Sequence, residues 1–230
     1  MIFILRGHIR NSFENNELYD FVNDLYTLIP NLKIFIHTWN ILANNISWRN
    51  ITENNTTVTD ELIKEYFGNL SHCIQHIMID DDKHIKLIGN IDGTINHGPM
   101  PLIGWKNYWY GKNKIINYVY NNVKCDDQLI VNCRFDIFTL NRMNKTSAIH
   151  FITKHIQSKI YKNIFVYDKE YGGIDNIYIG NINTMNTLVS MFYYNLDNIL
   201  SKHTDTVNQE YLVYRINAIL FNNRFKLCYK

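Results

Sequence analysis

Two opposite charges sit inside a stretch that otherwise reads as a buried strand. In "LIVNCRFDIF" (129–138), Val131, Cys133, Phe135 and Ile137 are apolar, while Asn132, Arg134 and Asp136 are polar. Period-2 alternation places Arg134 and Asp136 on one face of that strand. Either the face is wet and the two form an ordinary surface ion pair, worth little, or helices cover it and the charges answer to a ligand. "LRGHIRNS" (5–12) groups Arg6, His8 and Arg10 around Gly7. Guanidinium forks suit a diphosphate, and a glycine lets the backbone come close to it; the alternative is a basic turn facing water. "FIHTWN" (35–40) puts His37 and Trp39 on one side of a strand end. There an indole can stack on a base or sugar while the imidazole donates a hydrogen bond, or both can simply be core residues.

The remaining groupings are carboxylates, glycines and thiols. Asp80 and Asp82 in "IDDDK" (79–83) have a D-x-D spacing that can share Mg²⁺ or Mn²⁺. Aspartate is equally at home in a plain turn. "GGID" (172–175) reads as a flexible loop in which Gly173 permits movement and Asp175 is a free carboxylate, placed to act as a general base. Gly180-Asn181 precedes a helix, whose first amides favour an anion. His72, Cys73 and His76 have a helical spacing, but no second half of a zinc site follows. No G-x-x-x-x-G-K-S/T occurs, and no G-x-G-x-x-G follows the first strand, which argues against a P-loop and weakens a dinucleotide reading.

The elements that must position these residues alternate. Strands are expected at 2–5, 33–39, 76–80, 128–138 and 163–167, with a shorter one leading into Gly180-Asn181. Helices are expected after the first strand up to Pro30, from Thr59 through Phe67, from Trp105 to about Tyr120, over 145–161, around Met185–Leu196 and over 208–220. "RFKLCYK" is a candidate closing strand, 45–59 reads as a polar loop, and 88–104, with four glycines and two of the three prolines, is the least regular part. Alternation of this kind predicts a single α/β domain over 1–230 with a mostly parallel sheet and flanking helices. In such sheets ligands gather beyond the C-terminal ends of the strands, which is where most of the groupings above fall.

Composition narrows the function classes. With 230 residues, 46% hydrophobic and 19% charged, there is material for one sizeable core. A formal charge of +2 gives no electrostatic case for nucleic acid. The four cysteines are scattered, and Cys133 lies on an apolar strand face, so buried free thiols are expected. The opening apolar run, Ile2–Leu5, is too short for a signal-peptide core or a membrane span, and the expectation is a soluble, cytoplasmic protein. Nothing in the sequence speaks to oligomeric state.

Taken in order, "ILRGHIR", "IFIHTW", "DDQLIVNCRFDIF" and "GGIDNIYIGN" resemble a group of glycosyltransferases found in bacterial surface-polysaccharide clusters and giant viruses. The resemblance spans roughly residues 1 to 200 and rests on the ordered set rather than on any one motif. It implies a single Rossmann-like domain of the GT-A type, a nucleotide-sugar donor and a glycan or glycoconjugate acceptor. It also implies that Asp136 takes the D-x-D role and binds Mn²⁺ or Mg²⁺, that Arg134 contacts the diphosphate or sugar, and that the turn Arg6–Arg10 holds the nucleotide. Asp175, Gly180 and Asn181 would line the acceptor side. One departure stands out: "RFD" has a single carboxylate where the usual motif has two. The metal requirement is then weaker or absent, or Asp127 or Asp80–Asp82 supplies the missing ligand. A catalytically silent carbohydrate- or nucleotide-binding domain is the alternative.

Overall fold

Strands buried on both faces require a layer of helices on each side, and the first strand has every residue buried. The computed structural model describes residues 1–47, 51–125, 128–139, 143–167, 173–206 and 208–221. Among them the strands are β1 (Ile2–Arg6), β2 (Lys33–Trp39), β3 (Ile41–Ala43), β4 (Asn54–Thr57), β5 (Ile74–Asp80), β6 (Ile130–Arg134), β7 (Ile164–Val166) and β8 (Ile174–Gly180). The helices are α1 (Glu17–Leu28), α2 (Asp60–Phe67), α3 (Leu102–Asn122), α4 (Lys145–Thr153), α5 (Ile182–Lys202) and α6 (Gln209–Phe221). Six strands form one sheet in the order β5-β2-β1-β6-β8-β7, and β3 and β4 form a separate antiparallel pair. β5, β2, β1 and β6 are parallel. β8 runs antiparallel to β6, and β7 antiparallel to β8. The fold is therefore mixed α/β, with a mostly parallel sheet covered by helices on both faces.

Alternation divides the sheet between two cores. Phe3, Leu5, Ile34, Ile36, Val131, Cys133, Ile177 and Ile179 face α1, α2 and α4. Ile2, Ile4, Phe35, Ile130 and Tyr178 face α3, α5 and α6. On this second face the apolar positions give way to polar ones toward the C-terminal ends of the parallel strands. Arg6 continues the face of Ile2 and Ile4, and Asn132 and Arg134 continue that of Ile130. Register locks them side by side, with Ile4 opposite Asn132 and Arg6 opposite Arg134.

Several elements differ from expectation. The strand predicted over 128–138 ends at Arg134, and Phe135–Thr139 turn away. The helix predicted over 145–161 ends at Thr153. Part of the polar loop predicted over 45–59 is β4, which pairs antiparallel with β3. The stretch from Ile174 to Gly180, taken as loop plus short strand, is one fully buried strand. His72 and Cys73 belong to a 3-10 turn (Gly68–Cys73) and His76 to β5, so the three do not share a helix face. The expected closing strand "RFKLCYK" lies outside the described residues, as do Asp127 and most of "DKEYGG". Thr59 caps α2 as expected, its hydroxyl accepting from the Leu62 amide.

Candidate functional site

The C-terminal ends of β1, β2 and β6 and one face of α3 surround a cleft of about 100 Å³, lined among others by Arg6, Gly7, His8, Arg10, Trp39, Asn107, Tyr108 and Arg134. Antiparallel β8 matters here, because its N-terminal end lies at the same sheet edge as the ends of the parallel strands. That direction carries Asp175 and Asn176 behind the wall of the cleft, where they bond its lining residues Arg6, Tyr108 and Arg134.

The turn after β1 is held closely. Gly7 adopts φ +92°, a conformation open to glycine. Its amide donates to the His37 carbonyl at 3.1 Å, and the Thr38 hydroxyl donates to the Gly7 carbonyl at 3.0 Å. Arg10 also sits at positive φ, +55°, a costly backbone for an arginine. That backbone is fixed by its amide donating to the Leu42 carbonyl at 2.8 Å, and its side chain reaches Asp136.

Asp136 is enclosed by cations. Arg134 grips it with two bonds, Nε to Oδ1 at 2.7 Å and Nη2 to Oδ2 at 2.6 Å, and Arg10 Nη1 donates to Oδ2 at 2.5 Å. Arg134 and Asp136 were expected on one strand face. They meet instead because the turn after β6 folds Asp136 back over the last strand residue. The bidentate partner holds the Arg134 guanidinium protonated despite its burial.

Arg6 lies deeper, 1% exposed. Its Nε donates to Asn132 Oδ1 and its Nη2 to the Asp175 carbonyl, each at 2.7 Å, while the guanidinium covers the Tyr108 ring at 4.5 Å. Asp175 is not the free loop carboxylate that the sequence suggested. It is 7% exposed, and its Oδ2 accepts from the Tyr108 hydroxyl at 2.5 Å and from Lys112 Nζ at 3.2 Å. Burial alone would raise its pKa, but the charges of Lys112 and Arg6 and the Tyr108 hydroxyl outweigh that and hold it low. A carboxylate so engaged is a support, not a base. Lys112 is wholly buried among the rings of Tyr108, Trp109 and Tyr178, and burial followed by repulsion from Arg6 pushes its pKa well down.

The other expected residues fall on both sides of this picture. His8 stacks on Trp39 with ring centroids 5.7 Å apart. Burial and then Arg10 push its pKa down to about 3, so it is neutral. Trp39 is 3% exposed and also stacks with Tyr110, which leaves it no open face for a base. His37 is fully buried, with Nε2 3.0 Å from Asp80 Oδ2. Asp80 is bonded by Lys114 as well; burial would raise its carboxyl, but the bonds to His37 and Lys114 carry it down to about 2. Asp82 accepts from Asn44. Gly173 packs on Phe165 and Tyr214. Gly180 and Asn181 are at the opposite sheet edge, since Gly180 pairs with Ile130 at the beginning of β6. Asn181 caps α5 there, accepting from the Thr184 amide at 2.9 Å and donating to the Ile160 carbonyl at 2.6 Å. These two cannot line an acceptor at the cleft.

Asn107, Tyr108 and Lys112 were not expected. A signal was present: Trp105, Trp109, Lys112, Ile116 and Val119 form one helical stripe, with a lysine in its middle. The cleft also carries polar atoms without partners. Arg6 Nη1, His8 Nε2 and both amide atoms of Asn107 are buried and make no hydrogen bond. His8 Nε2 is 3.9 Å from Asp82, beyond hydrogen-bond reach. Such atoms are costly unless a ligand meets them. Among the described residues no carboxylate lines this cleft, whereas three arginines do. The arrangement suits an anion with several oxygens.

A second hollow adjoins the first and shares Arg10 in its wall. It is lined by Arg10, Glu14, Asp136 and Thr139, and by 51–56 of the β4 region. Glu14 and Glu53 are exposed and make no ion pair among the described residues.

An Asp136-bound Mn²⁺ or Mg²⁺ does not fit these residues. Both carboxylate oxygens are already bonded to guanidinium groups, and the unmet groups of the cleft are mainly donors, where a cation requires acceptors. Asp80 and Asp82 do not complete such a site, being bonded to Lys114, His37 and Asn44.

The fold and site define a mixed α/β domain with a buried, arginine-rich cleft at the C-terminal edge of its sheet. Neither a protein-family model nor a curated protein sequence matches the chain. Among solved structures, it is similar to a crystal structure of an active-site mutant of LgtC, a GT-A glycosyltransferase, at 10% identity and a TM-score of 0.43, over 94% of this chain and 70% of that one.

Proposed function

We propose that the cleft binds a sugar nucleotide through its diphosphate and that the protein transfers the sugar to a glycan hydroxyl. The carrying observation is the set of three arginines with unmet buried donors at the C-terminal edge of a parallel sheet, with no carboxylate among the lining residues. A diphosphate supplies oxygens for Arg6 Nη1, for the Asn107 amide and for the outer nitrogens of Arg10 and Arg134. The anomeric carbon then faces the second hollow. The acceptor oxygen bonds to that carbon as the bond to the diphosphate oxygen breaks. The electron pair leaves with the nucleoside diphosphate, next to the guanidinium groups. The acceptor's proton passes to a carboxylate, and Glu14 and Glu53 are the ones placed in that hollow without an ion-pair partner.

A thermal-shift screen of UDP-, GDP-, dTDP- and CMP-sugars, with inorganic phosphate as control, tests this reading. Stabilisation by one nucleotide family and not by phosphate supports it; no response to any of them rejects it. A second reading is a domain that binds a sugar nucleotide without turning it over. The exposure of Glu14 and Glu53 favours it, since an exposed side chain is not held in one position against an acceptor. Donor binding without hydrolysis or transfer across a panel of glycan acceptors would select it.

A further inference from the structure

The geometry around Asp136 points to a donor site that works by guanidinium groups alone. We infer that Arg6, Arg10 and Arg134 hold the diphosphate without a divalent cation, and that Asp136 is the positioning residue that aims Arg10 and Arg134. This rests on the sugar-nucleotide reading above and specifies how that site recognises its ligand.

Three observations carry it. First, Asp136 has 2% of its side chain exposed and is bonded on both oxygens, bidentately by Arg134 and on Oδ2 by Arg10 as well. A cation would have to displace two charged donors and enter a wall that is already positive. Second, the aspartates nearest the cleft are engaged, Asp175 by Lys112 and Tyr108, Asp80 by Lys114 and His37, and Asp82 by Asn44, and the exposed Glu14 and Glu53 line the second hollow, not the cleft. Among the described residues no group of three or more His, Cys, Asp or Glu side chains could hold a metal. Third, residues that line the cleft retain buried groups without a hydrogen-bond partner that suit phosphate oxygens, namely Arg6 Nη1 and the Asn107 amide. Planar guanidinium forks match phosphate oxygens two at a time and, being already oriented by Asp136 and Asn132, need little reorganisation.

The test is calorimetric binding of UDP, GDP, CDP and dTDP to the full chain, in EDTA and in excess Mn²⁺. At least one diphosphate is expected to bind in EDTA, with Kd within about threefold of its value in Mn²⁺, a difference well under the tenfold that marks a substantial contact. Arg134→Ala and Asp136→Asn are each expected to weaken that binding about 10- to 100-fold, the loss of one charged hydrogen bond, and equally in both buffers. Added guanidinium ion should restore part of the affinity of Arg134→Ala, which a general loss of structure would not permit. Binding that appears in Mn²⁺ and vanishes in EDTA overturns the inference and leaves the sugar-nucleotide reading standing. No binding in either buffer overturns both. The comparison of the unaltered protein in the two buffers decides the matter even if a variant fails to fold.

Discussion

At the residue scale, the buried Lys112–Asp175 pair is the most exposed to test. Lys112 has no solvent contact, and Asp175 is bonded to it, to Tyr108 and, through its carbonyl, to Arg6. Removing one member leaves the other charge buried and unmet. Asp175→Asn is therefore expected to cost about 3–5 kcal/mol, read from urea unfolding. If Asp175 were instead a solvated base, the variant would unfold like the parent and lose only turnover. His8 offers a second test through pH. Its folded pKa is depressed from 6.5 to about 3, so below 6.5 the unfolded chain takes up a proton that the folded one refuses. Stability is complete above that range and falls with acid, by about 1.4 kcal/mol per pH unit. His8→Gln should flatten the dependence of the urea midpoint between about pH 7 and 4. His37, also lowered by burial, acts in the same direction and persists in the variant, so part of the slope remains. Residue roles were only partly legible in the sequence. The cationic types at Arg6, Arg10 and Arg134 were legible, and the fold brings the three to one cleft. What Asp136 and Asp175 face was not legible, because partners such as Arg10 and Lys112 lie 126 and 63 positions away.

At the element scale, α3 decides the shape of the cleft. Gly111 lies where α3 crosses His37, and a Cβ there would come within 2.6 Å of His37 Nδ1. His37 cannot yield, being fully buried and bonded to Asp80. Alanine normally gains roughly 1 kcal/mol over glycine inside a helix. Here the clash should reverse the sign, making Gly111→Ala destabilising by about 1–3 kcal/mol; a raised denaturation midpoint would refute the packing described. α5 provides the contrasting case. Asn181→Ala removes a capping box and a bond to Ile160, and should cost about 1–2 kcal/mol while leaving nucleotide binding unchanged. Strands β1, β2 and β5 were visible from apolar runs, and α1, α2 and α5 from helical periodicity. Two features escaped. The strand at β6 stops early although its alternation continues, because Phe135 and Ile137 stay buried in the turn. β4 is exposed along its whole length, so its Asn/Thr sequence carried no burial signal.

At the scale of the whole molecule, the two faces of the sheet have separate duties. The α1, α2, α4 face is apolar, and the α3, α5, α6 face is apolar only as far as the cleft, where arginines and asparagines replace it. Those unmet groups mean the free protein falls short of its full stability. A nucleoside diphosphate present at about 100 times its Kd should add about 2.7 kcal/mol. For a chain of this size that corresponds to a rise of roughly 5–11 °C in Tm. A neutral sugar at the same concentration should add nothing measurable. No helix among the described residues is long and apolar enough to cross a membrane.

The partition between the two hollows has a thermodynamic corollary. Arg10 lines both, and Asp136, its partner, lines the second. On the sugar-nucleotide reading, a phosphate in the first hollow shares the charge of Arg10 with Asp136, which then presents more negative charge to the second. The two ligands are thereby linked, and linkage of this kind is reciprocal. On the sugar-nucleotide reading, occupancy of one compartment shifts the affinity of the other by the same factor in either direction, through an ion pair that the two compartments share.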